Sequence, residues 1–141
     1  MSRRIVTTLV LLAAFGAGVP EAAASSNPVR LSFDKSASIV GEWEGIVTGD
    51  VNGALRTVLL SRKVTGSIWL VEFDWVVTAG ESSFVARLSG TLNTATGAVV
   101  MNGAVTSGFL LGARVHEEGQ LVDAGASRFV GTITIATASG A

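Results

Sequence analysis

The chain is 141 residues long, 48% hydrophobic and 15% charged, with a formal net charge of −1 and no cysteine. Without cysteine there is no disulfide, no thiolate metal site, no cysteine nucleophile and no lipid-modified N-terminal cysteine. The near-neutral balance provides no basic face, so nucleic acid is not expected as a partner.

The first predicted element is a leader. Arg3 and Arg4 precede an apolar run from Ile5 to Val19, and Ala22-Ala23-Ala24 presents the small residues of a peptidase site. The run is shorter than the roughly 20 residues of a spanning helix, and Thr7, Thr8, Gly16 and Gly18 dilute it. The reading is a cleavable signal peptide over 1–24. It implies export to the periplasm or the extracellular space, and one all-β domain over 25–141 with no transmembrane segment. Loss of Arg3, Arg4 and Glu21 moves the formal charge from −1 to −2.

After the leader, Val, Ile, Thr, Leu and aromatic residues recur in short runs broken by Gly, Asn, Asp and Ser clusters. This predicts strands near 29–34, 40–49, 54–64, 67–78, 82–93, 98–107, 109–122 and 127–136. Asp50-Val51-Asn52-Gly53, Thr65-Gly66, Ala79-Gly80, Ala95-Thr96-Gly97 and Asp123-Ala124-Gly125-Ala126 supply the turn chemistry between them. Connections this short join antiparallel neighbours, because a parallel pairing needs a crossover of about a dozen residues.

Alternation assigns the faces. Trp69, Val71, Phe73, Trp75 and Val77 share an apolar face, against Ile68, Leu70, Glu72, Asp74 and Val76. Trp43, Gly45 and Val47 alternate in the same way with Glu42, Glu44, Ile46 and Thr48. Glycine recurs inside strands at Gly90, Gly103 and Gly131, which marks a bend or a close backbone approach and suggests a strongly coiled sheet. Eight such strands form an up-and-down antiparallel β-barrel or, as the alternative, a two-sheet β-sandwich. Sequential hairpins without a long crossing connection favour the barrel, which also leaves no exposed edges.

Gly41-Glu42-Trp43 at the first long strand resembles the Gly-x-Trp opening of the calycins, the lipocalin and avidin group of eight-stranded barrels. The resemblance implies an architecture in which that Trp packs at one end of the barrel and the lumen holds a small ligand. Two features depart from it: the chain has no Tyr, which avidins use in ligand binding, and it lacks the later lipocalin motifs and C-terminal helix. Allene oxide cyclase and dirigent barrels are similar in size and in their glycine-rich strands. No family's functional residues carry over to this chain.

Three groups of residues invite chemistry. His116 is the single histidine, followed by Glu117 and Glu118. On a strand, Glu118 shares its side and Glu117 points away, and no nucleophile elbow accompanies it, so a solvent-facing histidine is the simpler reading. Glu42 with Glu44, and Glu72 with Asp74, are carboxylate pairs at period two. They read as a wet sheet face paired with Arg56, Arg62, Arg87 or Arg128. The aromatic stripe Trp69, Phe73, Trp75, together with Trp43, is either a plug filling a narrow barrel or the lining of a pocket.

The functional expectation is an exported, non-catalytic binding protein for a small, largely apolar ligand, lined by Trp43, Trp69, Phe73 and Trp75, with no cofactor and no metal. The alternatives are a structural or interaction barrel with a filled core and, further off, a cofactor-free enzyme around His116.

Overall fold

The computed structural model describes residues 27–137, so the leader read at 1–24 lies outside the described residues. Eight strands follow in order: β1 (Val29–Ile39), β2 (Glu42–Gly49), β3 (Gly53–Thr65), β4 (Ile68–Thr78), β5 (Phe84–Asn93), β6 (Ala98–Gly108), β7 (Arg114–Asp123) and β8 (Arg128–Ala136). Each pairs antiparallel with its neighbour in sequence, and β1 pairs with β8 to close the barrel. The sandwich alternative is thereby set aside: a single closed sheet leaves no edge in so apolar a chain.

Two elements differ from the sequence reading. β1 continues five residues past 34, to Ile39, carrying Lys35 into the wall. Residues 109–113 are a turn, not the start of β7, because Gly108, Leu110 and Gly112 all have positive φ (88°, 61° and 86°). That conformation ends a strand. Phe109, Leu110 and Ala113 from this turn pack against the core and help to cap one end of the barrel.

The inner wall explains the in-strand glycines. Several face the lumen opposite a large partner on the next strand: Gly131 opposite Phe33, Gly45 opposite Lys35, Gly90 opposite Met101 and Gly103 opposite Leu88. A Cβ at Gly45, Gly103 or Gly131 would collide with the main-chain oxygen of Asp34, Arg87 or Glu118. The strands therefore approach so closely only because these positions carry no side chain, and this permits tight coiling around large inward residues.

The outer wall carries ion pairs between strands, interspersed with exposed Ile46, Leu60, Leu70 and Val100. Arg87 pairs with Asp74 through Nε at 2.9 Å, Arg56 with Glu42 at 3.4 Å, and Arg128 with Asp34 at 2.6 Å. Among the described residues, no helix is long and apolar enough to cross a membrane.

Candidate functional site

The lumen is filled at one end and hollow at the other. The end with the β2–β3 and β6–β7 connections is closed by Val51, Phe84 and Ala113 over Leu31, Val47, Val77, Ile133 and Ile135, all buried. Trp75 is fully buried at mid-height, its ring edge-on to Phe33 (centroids 5.0 Å apart, planes at 88°). Above it a cavity of about 690 Å³ extends to the end carrying the β1–β2, β3–β4, β5–β6 and β7–β8 turns. That volume lies within the range of small-molecule sites, roughly 300–1,000 Å³.

Apolar side chains from all eight strands or their turns make the wall. They include Leu59 of β3, Val71 of β4, Leu92 of β5, Val99 and Met101 of β6, Leu121 of β7 and Phe129 of β8. Trp43, Trp69 and Phe73 also line it, whereas Trp75 lies beneath the floor and is not part of the lining. Trp43 stands edge-on to Phe73, with centroids 5.5 Å apart. Its indole N–H donates to the carbonyl oxygen of Ser127 at 3.1 Å, tying β2 to the β7–β8 turn at the mouth. Arg62 stacks over the Trp69 ring at 4.6 Å, and the exposed Ile39, Val40, Val64 and Val122 lie at the same end of the barrel.

Two charged side chains occupy the floor. Lys35 is 5% exposed and Glu117 1% exposed, and both line the cavity. Lys35 Nζ is surrounded by the rings of Trp75, Phe73, Phe33 and Trp43, at 4.9, 5.3, 5.6 and 5.9 Å from their centroids, and donates to Thr57 Oγ1 at 3.2 Å. The ring faces favour a cation, each by about 0.5–2 kcal/mol. Burial opposes them and pulls the Lys35 amine below its ordinary range, and the charge of Glu117 restores only part of this.

Glu117 is the mirror case. Burial pushes its carboxyl upward, opposed first by the charge of Lys35 and then by the nearby Trp75 indole N–H and His116. The two groups form no ion pair within 4.0 Å. Trp75 Nε1 approaches Glu117 without reaching hydrogen-bond geometry, and both Trp75 Nε1 and Glu117 Oε1 are buried without a partner. Buried polar atoms are seldom left so, because each costs about 1–3 kcal/mol.

Sequence reasoning did not find this pair. The signal was present: Lys35 follows Leu31 and Phe33 at period two, and Glu117 follows Val115. Both therefore fall on the inner face by the same alternation that assigned the aromatics. Their charge argued for solvent and masked the parity.

The other candidates lie outside the lumen. His116 is on the outer wall, its Nδ1 2.7 Å from Asn102 Oδ1 and its Nε2 2.9 Å from Glu118 Oε2. Glu42 and Asp74 are likewise in outer-wall ion pairs. Among the described residues, no three His, Asp or Glu side chains gather as a metal ion would require. Comparisons with family models, with curated proteins and with solved structures find no match for this chain.

Proposed function

We propose that the barrel is a binding protein that holds one small, largely apolar molecule in its lumen, taken in at the end bearing the β1–β2 and β7–β8 turns. The cavity carries this reading: about 690 Å³, walled by aliphatic and aromatic side chains, above a floor closed by Trp75. A ligand that removed about 200 Å² of apolar surface from water would gain roughly 5 kcal/mol before its ordering cost. Aromatic and aliphatic walls with a few fixed polar groups are the usual makeup of such sites.

Two further features agree. Gly41-Glu42-Trp43 belongs to the resemblance to calycin barrels, and Trp43 here helps to form the cavity wall. The leader read at 1–24 would place the protein in the periplasm or outside the cell, where a carrier or scavenger of apolar molecules is useful.

The test is tryptophan emission during titration with a neutral phenyl-naphthylamine probe. Trp43 and Trp69 line the cavity, so a saturable emission change at one probe per chain is expected. A linear, non-saturating response would leave the barrel a structural or interaction module instead.

A further inference from the structure

From the floor of the cavity we infer that the site captures carbonyl compounds covalently: Lys35 forms a reversible imine with an apolar aldehyde or ketone, and Glu117 moves the protons. This rests on the ligand-binding reading and specifies its chemistry. An amine and a carboxyl line one cavity without touching each other, and the carboxyl keeps an oxygen, Glu117 Oε1, that no protein group satisfies. A carbonyl group set between them would place its carbon toward Lys35 Nζ and its oxygen toward that unpartnered carboxyl.

The surroundings suit a nucleophilic lysine. Amines in apolar pockets become nucleophiles because the ammonium form loses its water. Burial acts on both groups in the direction the reaction needs, favouring a free amine at Lys35 and a proton on Glu117. The other lysine of the chain, Lys63, is exposed on β3 and has no such setting.

The step balances without any further reactant. The Nζ lone pair adds to the carbonyl carbon, the C=O π pair moves to oxygen, and Glu117 gives that oxygen its proton. The Glu117 carboxylate then takes a proton from nitrogen, leaving a neutral carbinolamine. Returned to the hydroxyl, that proton lets the C–O bond break, and water leaves. The products are a protonated imine and the Glu117 carboxylate. The iminium cation then sits among the four rings that surround Nζ, where a cation is favoured.

The experiment treats the full chain with decanal and cyanoborohydride, followed by intact mass measurement and peptide mapping. One adduct is expected, heavier by the mass of decanal less one oxygen, on the peptide containing Lys35. Lys63 and the amino terminus serve as internal amine controls and should react at least about tenfold more slowly. Labelling of those controls with Lys35 untouched would overturn the inference. So would saturation by decanoic acid with no trapping of decanal, which would make Lys35 an anion-binding cation instead.

Two variants test the assigned roles. Lys35→Arg keeps a cation and removes the nucleophilic amine, and should lose trapping. Glu117→Gln should slow trapping at saturating decanal by about a hundredfold, the scale of general acid–base assistance. An unchanged rate in Glu117→Gln would contradict its role in proton transfer. Probe binding by the wild type without trapping defeats the imine alone, whereas no probe binding defeats the cavity reading itself.

Discussion

At the end of the barrel that carries the β2–β3 and β6–β7 connections, inward side chains meet across the lumen and leave no room. At the other end the same strands enclose a hollow. The closed end draws on its connections for filling: Val51 and Ala113 fold inward and are buried, and Phe109 and Leu110 pack against the core. The open end has turns built on small or polar residues, Gly66-Ser67, Thr94 to Gly97 and Ala124 to Ser127, which add little bulk to the lumen. An eight-stranded barrel is just wide enough for side chains to fill. Whether it is a core or a cup is therefore decided by what its connections contribute.

The largest test of this contrast uses the two tryptophans that straddle it. Trp75→Ala should cost about 3–5 kcal/mol in urea unfolding, as for other large-to-small changes in packed cores. Trp69→Ala, at the half-exposed wall, should cost within about 1 kcal/mol yet weaken probe binding. Equal stability losses would erase the distinction between the two ends.

The floor pair is the boundary between them. Lys35→Met or Glu117→Leu alone leaves the other buried polar group without the one that offsets its burial and should destabilise by about 1–3 kcal/mol. The double variant should recover much of that loss, giving a coupling energy of about 1–3 kcal/mol in a double-mutant cycle. Additive losses would mean that the two groups act independently.

Somewhat smaller is the effect of crowding the inner wall. Gly103→Ala places a methyl group against the main-chain oxygen of Arg87 and should cost about 2–3 kcal/mol. Gly66→Ala, at the mouth, meets no neighbouring atom; only its positive φ of 60° is strained, and the cost should be about 1 kcal/mol.

The pH dependence sharpens the picture of the floor. The Glu117 carboxyl is raised above its ordinary 4.5, so the fold holds that proton more tightly than the unfolded chain does. Its contribution is complete below 4.5 and is lost as pH rises through the raised value. Lys35→Met removes the charge that moderates this rise. Its unfolding midpoint should therefore fall more steeply than that of the wild type as pH is increased above 4.5. Parallel profiles for the two proteins would show that Lys35 does not act on Glu117.

Much of the architecture was legible because period-two alternation and turn residues act locally. The stripe Trp69 to Val77 identified the inner face of β4, and glycine repeated at inner positions signalled the close approach that closure requires. Residues 109–113 misled because Phe109, Leu110 and Leu111 suit a strand, and only the flanking Gly108 and Gly112 hinted at the cap they form. The stripe itself was ambiguous between plug and lining, and the structure divides it: Trp75 packs below the cavity, while Trp69 and Phe73 line it. Lys35 and Glu117 stayed hidden because a buried charge is tolerated only through partners on other strands. The aromatic rings and Thr57 that receive Lys35 come together only when the barrel closes.

The central claim, that the lumen is a ligand cup, is tested most directly by filling it. Val99 of β6 is 6% exposed and lines the cavity, so Val99→Trp puts bulk into the hollow while leaving Lys35 and Glu117 themselves in place. Titration with the naphthylamine probe, read by probe emission, should saturate at one site in the wild type. Affinity should fall at least about tenfold in the variant, while the free energy of unfolding in urea changes by no more than about 1 kcal/mol. Equal affinity in the two proteins would place the probe outside the lumen and contradict the cup.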